Sequence, residues 1–85
     1  MPEICRFLGI VIRMYYHDHA PAHFHADYGK YSLRVYLESG VVEGTFPRRA
    51  LSSGLEWYLL HRDELWEDWR LAAKRSPLRS IAPLE

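Results

Sequence analysis

The chain has a single cysteine, Cys5, so no internal disulfide can form and a small disulfide-stapled secreted scaffold is excluded. The expected setting is a reducing one, with the thiol behaving as a small buried hydrophobe. Net charge is missing too, because eleven Lys and Arg cancel eleven Asp and Glu. No global field therefore steers the chain to nucleic acid or anionic lipid, and any nucleic-acid contact needs a local basic patch. No apolar run approaches the ~20 residues that span a bilayer. The N-terminal run Phe7 to Ile12 is broken by Gly9, ends at Arg13 and is unlike a signal peptide. A cytoplasmic protein with no membrane role is expected. Internal repeats and low-complexity tracts are also lacking.

What is present is a chain of 85 residues, 48% hydrophobic and 26% charged, which suits one small globular domain spanning residues 1–85. A core of that size is limited, so help from a partner is plausible. The alternation of Ile10, Ile12 and Met14 with Val11, Arg13 and Tyr15 predicts a strand over about 4–16, with a bulge or bend at Gly9. Residues 23–28 and 31–37 alternate again around Gly29-Lys30, a two-residue loop that suits a type II′ turn. That turn predicts the pairs Tyr28/Tyr31, Ala26/Leu33, Phe24/Val35, His25/Arg34 and His23/Tyr36. A second turn at Ser39-Gly40 predicts a strand over 41–45, with Leu37 facing Val42 and Tyr36 facing Glu43.

From Pro47 the apolar spacing becomes helical, through Leu51, Leu55, Tyr58, Leu65, Trp69 and Ala72. An unbroken helix over 48–75 would be ~42 Å long, too long for a domain roughly 30 Å across. The apolar stripe also fails at Arg62, so a break near His61 to Asp63 is expected, and residues 76–85 read as an extended tail. The fold class is thus α+β, an antiparallel meander of about four strands packed on one face by a C-terminal helix or kinked helix pair.

Four of the five histidines fall between His17 and His25, and three chemical readings follow. His23 and His25 share one strand face, so with His19 and Asp27 they form a candidate metal set for Zn or Ni, although Arg34 opposite His25 opposes a cation. The same face offers His23, His25, Arg13, Arg34 and Tyr36 for acid–base work and charge stabilisation in a metal-independent ribonuclease that needs no cofactor. The third reading has the histidines capping the hairpin, paired with Asp18, Asp27 or backbone, with no chemistry. Separately, Trp57, Leu59, Trp66, Leu78, Ile81 and Leu84 lie outside the pairing of sheet and Leu stripe. They are candidate partner-binding residues for a homo-oligomer or a second protein.

Pro2-Glu3-Ile4, Arg6-Phe7, Gly9-Ile10, Met14-Tyr15, His19 through His23-Phe24-His25, Tyr28-Gly29, Pro47 to Leu51, Leu55-Glu56-Trp57, His61-Arg62, Glu64-Leu65, Trp69, Ile81 and Pro83-Leu84 resemble the bacterial domain-of-unknown-function family 4160. The resemblance implies a short cytoplasmic protein, often encoded beside a second small domain in a toxin–antitoxin-like pair, and so the product of an adjacent gene as partner. An acidic residue is more typical where His17 stands, which leaves His19, His23 and His25 as the core set. Ala20 and Ala22 stand where Asn and Pro are expected, so a less rigid loop follows.

Overall fold

The computed structural model describes residues 2–84; Met1 and Glu85, the last residue of the expected tail, lie outside the described residues. Five strands precede two helices: β1 Glu3–Phe7, β2 Ile10–Arg13, β3 His23–Tyr28, β4 Tyr31–Tyr36, β5 Val42–Gly44, α1 Arg48–Leu60 and α2 Arg62–Ala73. The strands pair in sequence order, each antiparallel to the next, as one meander. The architecture is α+β.

The expected first strand is two strands. Phe7 pairs with Ile10 across a two-residue turn in which Leu8 (φ 48°) and Gly9 (φ 81°) both adopt the left-handed region. Two consecutive positive φ values match the twist of a hairpin, so Gly9 marks a reversal rather than a bend. A register shift between Glu3 and Cys5 lets both Ile4 and Cys5 face inward. Across β3 and β4 all five predicted pairs form, with Gly29 at φ 57° as the first turn residue. Between β4 and β5 the register is two residues from the expected one, pairing Val35 with Val42 and Arg34 with Glu43. The reason is a longer loop: Gly40 donates its N–H to Tyr36 O, and Tyr36 N–H goes to Val41 O. A shift of two preserves side-chain direction, so Glu43 stays on the polar face.

The apolar face carries Ile10, Ile12, Met14, Phe24, Ala26, Leu33, Val35 and Leu37, all buried. Trp57 of α1 lies against Phe7 and Phe24, at ring separations of 5.6 and 5.7 Å, and Tyr58 donates its hydroxyl to Leu37 O at 2.6 Å. The helices part at His61, whose backbone (φ −122°, ψ 26°) leaves the helical region while its N–H closes α1 onto Trp57 O and Tyr58 O. A longest extent of 34 Å agrees with two helices in place of one. At the end of α2, Arg75 (φ 57°) takes the left-handed position usually held by glycine, and Ser76 N–H returns to Leu71 O.

The tail then folds back over the core. Arg79 N–H reaches Asp68 Oδ1 at 2.9 Å, Ile81 N–H reaches Ile4 O at 2.9 Å, and Trp57 Nε1–H reaches Ala82 O at 2.8 Å. Trp57 and Ile81 are thereby buried within their own chain, at 0% and 4% exposure, which removes both from the expected partner surface. Trp66, Leu78 and Leu84 are half-buried against the same core. The apolar surface that looked unassigned in the sequence is largely covered by the tail. Leu59 and Leu60 remain exposed.

Candidate metal centre

The polar face of the sheet carries Arg13, His25, Arg34 and Glu43 in one cross-strand row. His23 and His25 point to the same side, as strand alternation requires. The loop between β2 and β3 then supplies a third group. It turns at His17 (φ 55°), contains a cis Ala20–Pro21 bond, and brings Asp18 back over the start of β3. His23 Nε2, His25 Nε2 and one Asp18 carboxylate oxygen lie within 4.8 Å of one another. Among the described residues this is the one convergence of three such ligand atoms.

Each group is oriented from behind. Asp18 Oδ1 accepts the His19 N–H at 3.0 Å, leaving Oδ2 to face the rings, 2.9 Å from His23 Nε2 and 3.0 Å from His25 Nε2. His23 Nδ1 lies 2.7 Å from Pro21 O. The His23 ring is buried against Trp69 and Tyr36, with ring centroids 5.4 and 5.6 Å away, and the Tyr15 and His25 rings meet in a T-shaped pair with centroids 4.5 Å apart.

Hydrogen-bond accounting singles out His23. A carbonyl oxygen only accepts, so Nδ1 must carry the hydrogen that goes to Pro21. In a neutral ring Nε2 is then a bare lone pair, and it faces Asp18 Oδ2, which also only accepts when ionised. Two lone pairs at 2.9 Å need a cation between them, either a proton that makes the ring an imidazolium or a metal ion. Asp18 is held ionised. Burial raises its pKa, but the hydrogen bond from His25, the charge of His23 and the His19 N–H outweigh that and lower it below the ordinary carboxylate value.

The sequence-derived site residues divide accordingly. His19 is turned to solvent, its side chain 85% exposed and its Nδ1 3.5 Å from Asp18 Oδ1, so it does not converge with His23 and His25. Asp27 is engaged elsewhere, by Arg13 at 2.6 Å. Asp18 converges on the two rings in their place; in the sequence it stood only as a pairing partner. Its signal was an Asp flanked by His17 and His19, but only the loop conformation directs it to the rings.

For the ribonuclease reading, His23 at 1% exposure cannot touch a substrate, which leaves His25 alone as base. Arg13 is tied to Asp27 at 2.6 Å, whereas Arg34 is held only loosely, 3.4 Å from the Tyr36 hydroxyl and 3.9 Å from Glu43. The arginine–histidine row exists, but its charge is balanced within the face.

The fold and site define a small α+β domain, a five-stranded meander backed by a helix pair, with an aspartate–dihistidine cluster where the long loop meets the third strand. The chain belongs to the domain of unknown function family DUF4160, whose model matches residues 9–70, all of β2 to β5 and α1 and most of α2. No curated protein and no solved structure matches the chain.

Proposed function

We propose that this protein is a divalent metal-binding module, holding Zn²⁺ or Ni²⁺ through His23 Nε2, His25 Nε2 and Asp18 Oδ2. The observation that carries the reading is the opposed pair of acceptors, His23 Nε2 and Asp18 Oδ2, at 2.9 Å with His23 Nδ1 already committed to Pro21. An ion accepts both lone pairs and that of His25. The surroundings are those of a ligand shell, with a backbone carbonyl fixing the His23 tautomer and a backbone N–H fixing the carboxylate. Tetrahedral ligand atoms around zinc are about 3.3 Å apart, so loading requires Asp18 Oδ2 to draw back from each imidazole by a few tenths of an ångström. Three protein ligands leave at least one position for water or substrate, and the donor set suits borderline cations such as Zn²⁺ and Ni²⁺.

Calorimetric titration of metal-stripped protein tests this. One equivalent of Zn²⁺ should bind with proton release, because the ligands must be deprotonated. Asp18→Ala and His25→Ala should abolish binding while His19→Ala and Asp27→Ala retain it. Equal binding by all four variants would defeat the assignment.

A second reading, supported by Leu59 and Leu60 standing 66% and 64% exposed at the end of α1, is a protein-interaction component of a two-gene regulatory pair, or a homodimer. Adjacent exposed leucines favour a contact. Sedimentation should show association that Leu59→Ser/Leu60→Ser removes. A monomer at high concentration, with no complex formed with the adjacent gene's product, would defeat it.

A further inference from the structure

We propose that the loaded metal centre turns the adjoining groove into a binding site for a phosphate group, gripped jointly by the ion and by Arg34. The proposal rests on the metal reading above. The groove is a depression of about 370 Å³ on the polar face, with His25 and Arg34 on its walls. That volume is in the ~300–1,000 Å³ range of small-molecule sites. His25, one of the three proposed ligands, lines the groove, and the charge of Asp18 is felt at Arg34, so an ion held between His25 and Asp18 lies within electrostatic reach of that guanidinium. Arg34 is its direct cross-strand partner.

The two arginines of the row are not equivalent. Arg13 is held by Asp27 at 2.6 Å. Arg34 reaches Glu43 only at 3.9 Å, and the Glu43 side chain is 60% exposed. Exposed pairs of that kind are weak, so Arg34 can exchange Glu43 for a phosphate, which a guanidinium binds through two parallel hydrogen bonds. Glu43 keeps the Tyr36 hydroxyl, which donates to its Oε1 at 2.8 Å.

Charge makes the site conditional. Arg13 pairs with Asp27 and Arg34 with Glu43, so the metal-free face offers no uncompensated cation to hold an anion. A divalent ion gives the cluster a net positive charge and offers an open coordination position to an oxyanion. Metal binds first and phosphate second. Tyr15 and Ser32 also line the groove and offer hydroxyls to the remaining phosphate oxygens.

Cobalt-loaded protein provides the test, because the visible d–d bands of Co²⁺ change when an oxyanion enters its coordination shell. Inorganic phosphate should shift those bands saturably at one equivalent, and metal-free protein should leave the ³¹P linewidth of phosphate unchanged. Arg34→Gln should keep the Co²⁺ spectrum but weaken phosphate about ten-fold or more. Tighter binding of adenosine 5′-monophosphate than of phosphate identifies a nucleotide monoester as the source; tighter binding of the dinucleotide UpA identifies an RNA phosphodiester. A Co²⁺ spectrum indifferent to phosphate, equal phosphate binding without metal, or no effect of Arg34→Gln would overturn the inference and leave the metal reading standing. Failure to take up Co²⁺ or Zn²⁺ would overturn both.

Discussion

Replacing Asp68 with Asn should stabilise the protein, and should do so only where the carboxyl is ionised. Asp68 is 1% exposed; Oδ1 accepts the Arg79 N–H at 2.9 Å, while Oδ2 has no hydrogen-bond partner among the described residues. Burial raises its pKa above the ordinary carboxylate value, and the Arg79 N–H offsets this only in part. A carboxyl with a raised folded-state pKa favours the folded state at low pH. That contribution is lost as pH rises from the ordinary value through the folded one. At neutral pH the folded protein thus carries a buried, half-satisfied charge. Asparagine keeps an oxygen for Arg79 N–H and removes the charge, beside a cavity of about 130 Å³ lined in part by Glu64, Glu67 and Ser80. Relief of one unsatisfied buried group is worth about 1–3 kcal/mol, or roughly 5–20 °C in melting temperature for a domain of this size. Thermal melts of both proteins from acid to neutral pH are the assay. The two should converge below the carboxylate range and diverge as pH rises. Taking the difference between the proteins removes the opposite contribution of Asp18, whose lowered pKa adds stability that is lost as pH falls. An Asn variant that melts lower at neutral pH, or a difference independent of pH, would refute the reasoning.

Leu8→Asn should raise stability by up to about 1 kcal/mol, since Leu8 is exposed at φ 48° beside Gly9 and Asn-Gly is the preferred pair for such a turn; a lower melting temperature would contradict the turn assignment. Gly44→Ala should be severely destabilising, because a Cβ there would lie 2.5 Å from Ser32 O and 2.6 Å from Leu33 Cα. Gly29→Ala meets nothing within 4 Å and should cost only about 1–2 kcal/mol of backbone strain, so equal denaturant midpoints for the two variants would be inconsistent with the β4–β5 register. Ile81→Ala should cost about 2–4 kcal/mol and expose Trp57, giving a red-shifted tryptophan emission; an unchanged midpoint would show that the tail does not cover the core.

What was legible in the chain follows from how local each determinant is. The β3–β4 register could be counted outward from Gly29-Lys30 because a two-residue loop and a period of two leave one solution. The Leu8-Gly9 reversal was legible only as a bulge or bend at Gly9, because Leu is not a turn residue and nothing in the pattern marked a full hairpin. The β4–β5 register missed by two because loops of different length place the same faces together. The tail between Ser76 and Leu84 has no period that announces Ile81 and Leu78 as core, so Trp57 read as surplus when it is the centre of the packing. At the site, strand alternation correctly placed His23 and His25 on one face. The partner of Asp27 depended on the β2–β3 register, which a long loop leaves undetermined in the sequence, and the choice of Asp18 over His19 depended on that loop's backbone.

The metal assignment makes the most direct claim about individual nitrogen atoms, so long-range ¹H–¹⁵N spectra of the histidine rings are its sharpest test. On Zn²⁺ addition, Nε2 of His23 and of His25 should move to the metal-bound range while Nδ1 of His23 stays protonated toward Pro21. Resonances of His17, His19 and His61 should not move. Shifts confined to His17 or His19, or a His23 ring unchanged at saturating Zn²⁺, would contradict the assignment.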